Sequence, residues 1–316
     1  MDLSVVAASR EDDRPPLEAM RVGVLADRLG YREVWLGEGP TWDAFVLATA
    51  IGTRTERVAL TAGPMPVSVR DPASITRGAA GAAALVGRPV GVALGASSVR
   101  VVEEVHGRSR AGVARALADS AAAVRALMGE GVAEWGGGFR RRLGPPGGPL
   151  TVAAFGERAI AVAAEHADRM VLDMVSPEQV RRLRASLDAA TRRLGRQDPP
   201  RLAAWLPVAV DPSADSYAHI LSGIAGYLTV RGYADVLAGA GFAEAVELAR
   251  AGVPFERRVA ALPREAASVL GLVGDEATVR ARMETYAEAG LDEIALVPAT
   301  LGDPDGRRTL TALAPG

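Results

Sequence analysis

Short runs of consecutive apolar residues alternate along this chain with longer alanine-rich stretches whose apolar positions recur every three or four residues. The runs at 3–7, 33–36, 58–62, 90–94, 151–154, 170–172, 202–210 and 293–297 are continuous, the pattern of strands covered on both faces of a parallel sheet. The stretches at 17–29, 44–52, 73–85, 111–128, 158–166 and 177–194 have the helical period. Ser176-Pro177-Glu178 reads as a helix start, with a hydroxyl cap, a proline in the first turn and an acid at the positive dipole end. Gly30, Gly129 and Gly195 follow helices, where a left-handed cap costs glycine little. Eight strands alternating with helices predict the α/β class and a closed (β/α)8 TIM barrel, with an open doubly wound sheet as the alternative. No fixed period recurs, which disfavours a repeat array.

Two segments break the alternation. Residues 134–149 (EWGGGFRRRLGPPGGP) read as a surface excursion before the fifth strand. Residues 211–272 are mostly helical in pattern and carry Tyr217, His219, Tyr227, Tyr233 and Phe242. They exceed ordinary loop length, and we expect a helical insertion after the seventh strand, lying over the barrel mouth within a single 1–316 domain. A helix at 275–290 and a strand ending at 297 then close the sheet.

Composition narrows the chemistry. With 36 basic and 38 acidic residues the net charge is −2, which offers no reason to expect a nucleic acid or an anionic membrane as partner. There is no cysteine, which excludes disulfides, thiolate metal sites and cysteine nucleophiles. There is also no lysine, which excludes Schiff-base chemistry and a P-loop. The three histidines, at 106, 166 and 219, have no metal-ligand spacing, and no metal site is expected. No Gly-x-Ser-x-Gly elbow follows a strand, which disfavours a serine hydrolase. Met1-Asp2-Leu3-Ser4 has neither a basic nor an apolar leader region, and no apolar stretch reaches the roughly 18–20 residues that span a bilayer, so a cytoplasmic protein is expected.

In a barrel of this kind chemistry gathers at the C-terminal strand ends. Those are residues 8–9, 37–42, 63–70, 95–100, 155–158, 173–176, 211 and 298–300. After the fourth strand, Gly95-Ala96-Ser97-Ser98 offers small residues, hydroxyls and free amides to a phosphate, although the same residues make an ordinary capped turn. After the fifth, Ala154-Phe155-Gly156-Glu157-Arg158 opens a helix facing the same way. After the third, Gly63-Pro64-Met65-Pro66 stops the strand, either through a cis bond that bulges against a flat ring or as a rigid trans turn. Glu38 is the first polar candidate for contact with a ring or substrate, against an ion pair with an arginine. Trp42 either stacks on a substrate or packs under a loop.

The residues also carry a resemblance. Leu29-Gly30-Tyr31-Arg32-Glu33-Val34-Trp35-Leu36, Arg54-Thr55-Glu56-Arg57-Val58 with Gly63, Leu94-Gly95-Ala96-Ser97-Ser98 with Val105-His106-Gly107, and Ala164-Glu165-His166-Ala167-Asp168 follow one another as in the bacterial-luciferase-like superfamily. They resemble most its coenzyme F420-dependent branch, which includes methylenetetrahydromethanopterin reductase. The likeness implies an oxidoreductase that binds coenzyme F420 at the barrel mouth and transfers a hydride to or from a small organic acceptor, with a homodimer as the common assembly. It implies that the tail phosphate meets Gly95–Ser98 and the 154–158 turn, and that Gly63, Pro64 and Met65 back the ring. Glu38 and Trp42, at the end of the second strand, are the candidate catalytic residues. The chain departs from the pattern at Gly39 (histidine in many relatives), Ser98 (glutamate in some), Val105 (tryptophan) and Glu157 (proline). An FMN-dependent monooxygenase and a non-catalytic barrel that binds a metabolite or partner stand as alternatives.

Overall fold

The computed structural model describes residues 1–9, 15–129, 134–136, 138–230 and 232–316. Eight parallel strands form the barrel: β1 (Asp2–Val6), β2 (Glu33–Leu36), β3 (Ala59–Pro66), β4 (Val90–Gly95), β5 (Gly147–Ala153), β6 (Arg169–Asp173), β7 (Arg201–Val210) and β8 (Glu293–Pro298). Each pairs with the next, and β8 closes on β1 with Asp2 opposite Glu293 and Val5 opposite Leu296. The closed barrel, not the open sheet, is therefore the fold. Its outer layer contains α1 (Leu17–Arg28), α2 (Ala44–Gly52), α3 (Pro72–Val86), α4 (Val113–Leu127), α5 (Glu157–His166) and α6 (Pro177–Arg193).

Continuous apolar strands make two cores. Val34, Leu36, Leu60, Ala62, Val92, Leu94, Leu150 and Val152 point outward into the packing between strands and helices. Val6, Trp35, Ala93, Val171, Ala203 and Ala295 point inward and fill the middle of the barrel. Period-two alternation then assigns the next inward residue on each strand to the mouth.

The insertion comes where expected. Between β7 and a short strand, Leu272–Gly274, lie α7 (Ala214–Tyr227), α8 (Tyr233–Leu237), α9 (Ala243–Arg250), α10 (Phe255–Ala260) and α11 (Ala266–Val269). They have their own apolar core, with Ile224, Leu228, Leu237 and Leu270 fully buried, and it seats on Met174, Ala209 and Ala299 at the strand ends. The short strand, which has no counterpart among the predicted runs, pairs with the end of β7. Then α12 (Glu276–Glu288) leads into β8, and α13 (Arg307–Ala312) follows it.

Among the differences from the sequence reading are two strand boundaries and one helix cap. The prolines do not stop β3 at Ala62; the strand continues to Pro66 through a register shift between Ala62 and Met65. β5 starts at Gly147, so the end of the 134–149 excursion is already strand. Gly129 is not left-handed, whereas Gly30 and Gly195 are. The rest of the excursion includes a hairpin of Glu134–Trp135 with Phe139–Arg140, and residue 137 lies outside the described residues, as does residue 231 of the insertion. Among the described residues no helix is long and apolar enough to cross a membrane.

Candidate functional site at the barrel mouth

The mouth is asymmetric. On one side the inward positions are small: Gly37 after β2, Pro64 in the β3 bulge, and Gly95 at the end of β4. A Cβ added at Gly95 would stand 3.1 Å from the Pro64 Cβ and 3.6 Å from the Ala153 Cβ, which packs the ends of three neighbouring strands against one another. A Cβ at Gly37 would meet the indole of Trp205 at 3.8 Å. On the other side stand Trp205 from β7 and Asp173 from β6, opposite each other in register. The Trp205 ring meets Trp35 edge-on at 5.7 Å, and its indole N–H is buried without a partner.

The Gly63–Pro64 peptide is cis. Gly63 takes φ +120°, and a Cβ there would come within 2.3 Å of the Ala93 carbonyl, so no other residue fits without movement. Met65 is fully buried in the outer core, so its side chain faces away from the mouth; Ala154 belongs to the same core.

The turns after β4 and β5 follow directly paired strands, with Leu94 opposite Val152. Ser97 is left-handed at φ 56°, Ser98 Oγ accepts from the Val101 N–H at 3.1 Å, and a π-helical turn, Arg100–Val105, follows. Arg110 Nε donates to the Ser97 carbonyl at 2.9 Å. Gly156 is the extended N-cap of α5, and it stands exposed with Glu157 and Arg158. Met174 and Asp211, just past β6 and β7, are also left-handed non-glycine residues. Such residues collect where a site, not stability, dictates backbone shape.

Glu38 is held by protein groups. Its Oε2 accepts from the Ala44 N–H at 2.8 Å and its Oε1 from Arg70 Nε at 2.5 Å. Arg70 also binds Asp43, which caps α2 by accepting from the N–H groups of Phe45 and Val46. Burial raises the Glu38 pKa, although the Ala44 N–H and Arg70 pull the other way. Trp42 packs partly buried against the outer core, and its indole N–H is buried without a partner. His106 is exposed at the end of the π-helical turn, and His219 Nδ1 accepts from the Leu301 N–H. Arg141 ties the excursion to the carbonyls of Leu127, Leu143 and Gly129.

The sequence reading did not single out Asp173 from its strand end. Tyr233 of α8 donates to its Oδ2 at 3.1 Å. The Tyr233 ring is braced edge-on by Phe155 at 4.8 Å and by Tyr227 at 4.4 Å. Burial pushes the Asp173 carboxyl up to about 7, against the pull of the Tyr233 and Met174 hydrogen bonds. Alternation along β6 pointed inward to Asp173, but its phenol partner comes from an insertion sixty positions later. Among the described residues no group of three or more His, Asp or Glu side chains is placed to hold a metal ion.

These features describe a (β/α)8 barrel whose mouth sets glycines at the ends of β2 and β4 beside the turns that follow β4 and β5. The chain belongs to the luciferase-like monooxygenase family, whose model matches residues 1–293. Among solved structures, the coenzyme F420-dependent tetrahydromethanopterin reductase from Methanopyrus kandleri superposes with a TM-score of 0.81 at 16% identity, covering 99% of this chain and 98% of that one. An F420-dependent secondary alcohol dehydrogenase in complex with an F420-acetone adduct gives 0.74 at 16% identity, over 99% and 98%. A Type II Baeyer-Villiger monooxygenase from Pseudomonas putida, in complex with FMN, gives 0.70 at 14% identity, over 99% and 96%. No curated protein matches the chain by sequence.

Proposed function

We propose that this chain is an oxidoreductase that moves a hydride between coenzyme F420 and a small organic acceptor. The observation that carries the reading is the run of small inward positions, Gly37, Pro64 and Gly95, across from Trp205, which leaves backbone and no long side chain on that side of the mouth. In this reading Gly63, Pro64 and Met65 form the wall behind the ring. Gly95, Ala96, Ser97 and Ser98, with Ala154, Phe155, Gly156 and Arg158, hold the phosphorylated tail through backbone amides, hydroxyls and one guanidinium. Glu38 and Trp42 border the ring, Glu38 fixed by Arg70 and the α2 N-terminus. The bound cofactor supplies two electrons as a hydride, while the protein contributes orientation and a site poor in water. The insertion covers the acceptor.

Binding FMN for monooxygenation is the second reading, favoured by the family model and by a fold neighbour that carries FMN. Titrating purified protein with oxidised F420 and with FMN, read by absorbance of the bound fraction, tests both. The expected outcome is F420 binding and little oxygen consumption by the reduced complex. FMN binding with rapid oxygen uptake supports the second reading instead. If neither cofactor binds more tightly than about 1 mM, some 4 kcal/mol, the redox reading fails. We also take the protein as a homodimer. The groove between α2 and α3, lined by Val46, Thr49, Gly78 and Gly81 with exposed Leu85 nearby, supports a face for the second copy, and light scattering checks it.

A further inference from the structure

Inward alternation on β6 runs Arg169, Val171, Asp173. Arg169 lies in the base of the barrel and Val171 in its middle, so the Asp173 carboxyl stands at the top of the lumen, at the level of Trp205. Among the described residues the insertion brings one polar group to it, the Tyr233 hydroxyl, 3.1 Å from Oδ2 and held between the rings of Phe155 and Tyr227. Among the described residues the titratable groups acting on Asp173 are the phenols of Tyr233 and Tyr227, and neither is a cation. The neighbouring Trp205 adds an unpartnered N–H. This wall can donate hydrogen bonds, but among the described residues it has no positive charge to hold a carboxylate or a phosphate on the acceptor.

We propose that Tyr233, backed by Asp173, is the proton donor of the reaction, and that the acceptor is a neutral molecule with a polarised C=O or C=N bond. The inference rests on the redox reading above. When Asp173 is ionised Tyr233 donates to it; when Asp173 is protonated it can donate to the phenol oxygen, which frees the Tyr233 O–H for the acceptor. Burial of Asp173 favours that protonated form up to near neutral pH. As a hydride reaches the electrophilic carbon and the C=O or C=N π bond breaks, Tyr233 gives its proton to the oxygen or nitrogen and takes one from Asp173. A C–H bond and an O–H or N–H bond replace the π bond, and two electrons pass from the reduced ring to the acceptor. A bound reduced deazaflavin would supply the hydride and release one proton to solvent, and Asp173 is reloaded from solvent.

The test compares wild-type protein with Tyr233→Phe, Asp173→Asn and Asp173→Glu. The first measurement is cofactor binding by absorbance, and it should be the same in all four. Failure of the wild type to bind overturns the redox reading itself; binding that fails in the variants alone overturns this inference and leaves that reading intact. The second measurement is infrared absorption of the cofactor-free protein. A protonated-carboxyl band that titrates near neutral pH and disappears in Asp173→Asn is expected, and its absence overturns the inference. The third is single-turnover reduction of a small neutral ketone, a small neutral imine and a 2-oxo acid of matching size. The wild type should prefer the neutral acceptors and slow as pH rises past neutrality. Tyr233→Phe and Asp173→Asn should each be slower by about 10²-fold, the usual contribution of a general acid, with that pH dependence gone, and Asp173→Glu should restore it in part. Slower variants that keep the wild-type pH profile, or preference for the 2-oxo acid, overturn the proposal in favour of a purely structural tie between insertion and barrel.

Discussion

Asp173 shows how one side chain links folding to pH. Its carboxyl is pushed up to about 7 by burial, from an ordinary value of 3.8. The folded state therefore holds a proton that the unfolded chain releases, and stability is fully present below about pH 4 and lost as pH rises to about 7. At about 1.4 kcal/mol per unit, the loss is on the order of 3–4 kcal/mol, trimmed by solvent that reaches the mouth. Thermal melts at pH 5 and pH 8 should show a larger drop for wild type than for Asp173→Asn; equal drops refute the assignment. Gly95 makes a simpler case. Gly95→Val would drive a side chain against Pro64 and Ala153, costing about 1–3 kcal/mol by overpacking and abolishing cofactor binding in a protein that still folds. Melting temperature and absorbance titration check the two halves, and retained binding would place the ring elsewhere. The sequence placed both residues at strand ends, since alternation alone gives that. What it left open is which groups would meet them. Glu38 could equally be a ligand contact or half of an ion pair, and only the approach of the loop after β3 brings Arg70 onto it.

Elements were more legible than contacts, because their signals are local. The Ser176-Pro177-Glu178 start of α6 is a capping box, with Ser176 accepting from the Gln179 N–H and the Gln179 side chain returning to the Ser176 N–H. Ser176→Ala should cost about 0.5–2 kcal/mol, measurable by urea unfolding, and a change below a few tenths would show the box to be redundant. The family-like stretches turn out to brace elements. In the Arg54–Val58 stretch, Asp27 of α1 accepts from the N–H groups of Glu56, Arg57 and Val58 and fixes the entry to β3. Tyr31 donates to the Leu310 carbonyl, and Asp168 accepts from the Leu150 N–H where β5 runs beside β6. A resemblance built on such residues reports the barrel strongly and the substrate weakly. β3 was the least legible strand, because prolines ordinarily end a ladder and here a bulge carries it onward.

At the scale of the whole molecule, a charged layer closes the bottom of the barrel and leaves the top to chemistry. Arg169 of β6 reaches across the lumen to Glu33 of β2 through two bonds, at 2.7 and 2.8 Å, and to Glu293 of β8 at 2.7 Å. Thr61 and Thr151 accept its remaining donors, and Trp35, whose ring lies 4.0 Å from the guanidinium carbon, donates with Ser4 to Glu293. Strands from opposite sides of the barrel are tied through one side chain, and that side chain's charge is held by two carboxylates against the opposing effect of burial. Desolvating such a group is expensive, so the layer is not a net source of stability comparable to the apolar core. Its consequence is asymmetric: Arg169→Met leaves two buried carboxylates facing each other without a cation, and should cost about 3–5 kcal/mol. Neutralising them in the triple variant Arg169→Met, Glu33→Gln, Glu293→Gln should recover much of that loss, because the uncompensated charge is removed while the packing volume is kept. Chemical unfolding of the single and triple variants decides it. If the triple variant is no more stable than the single, the network acts through specific geometry across the barrel rather than through charge balance.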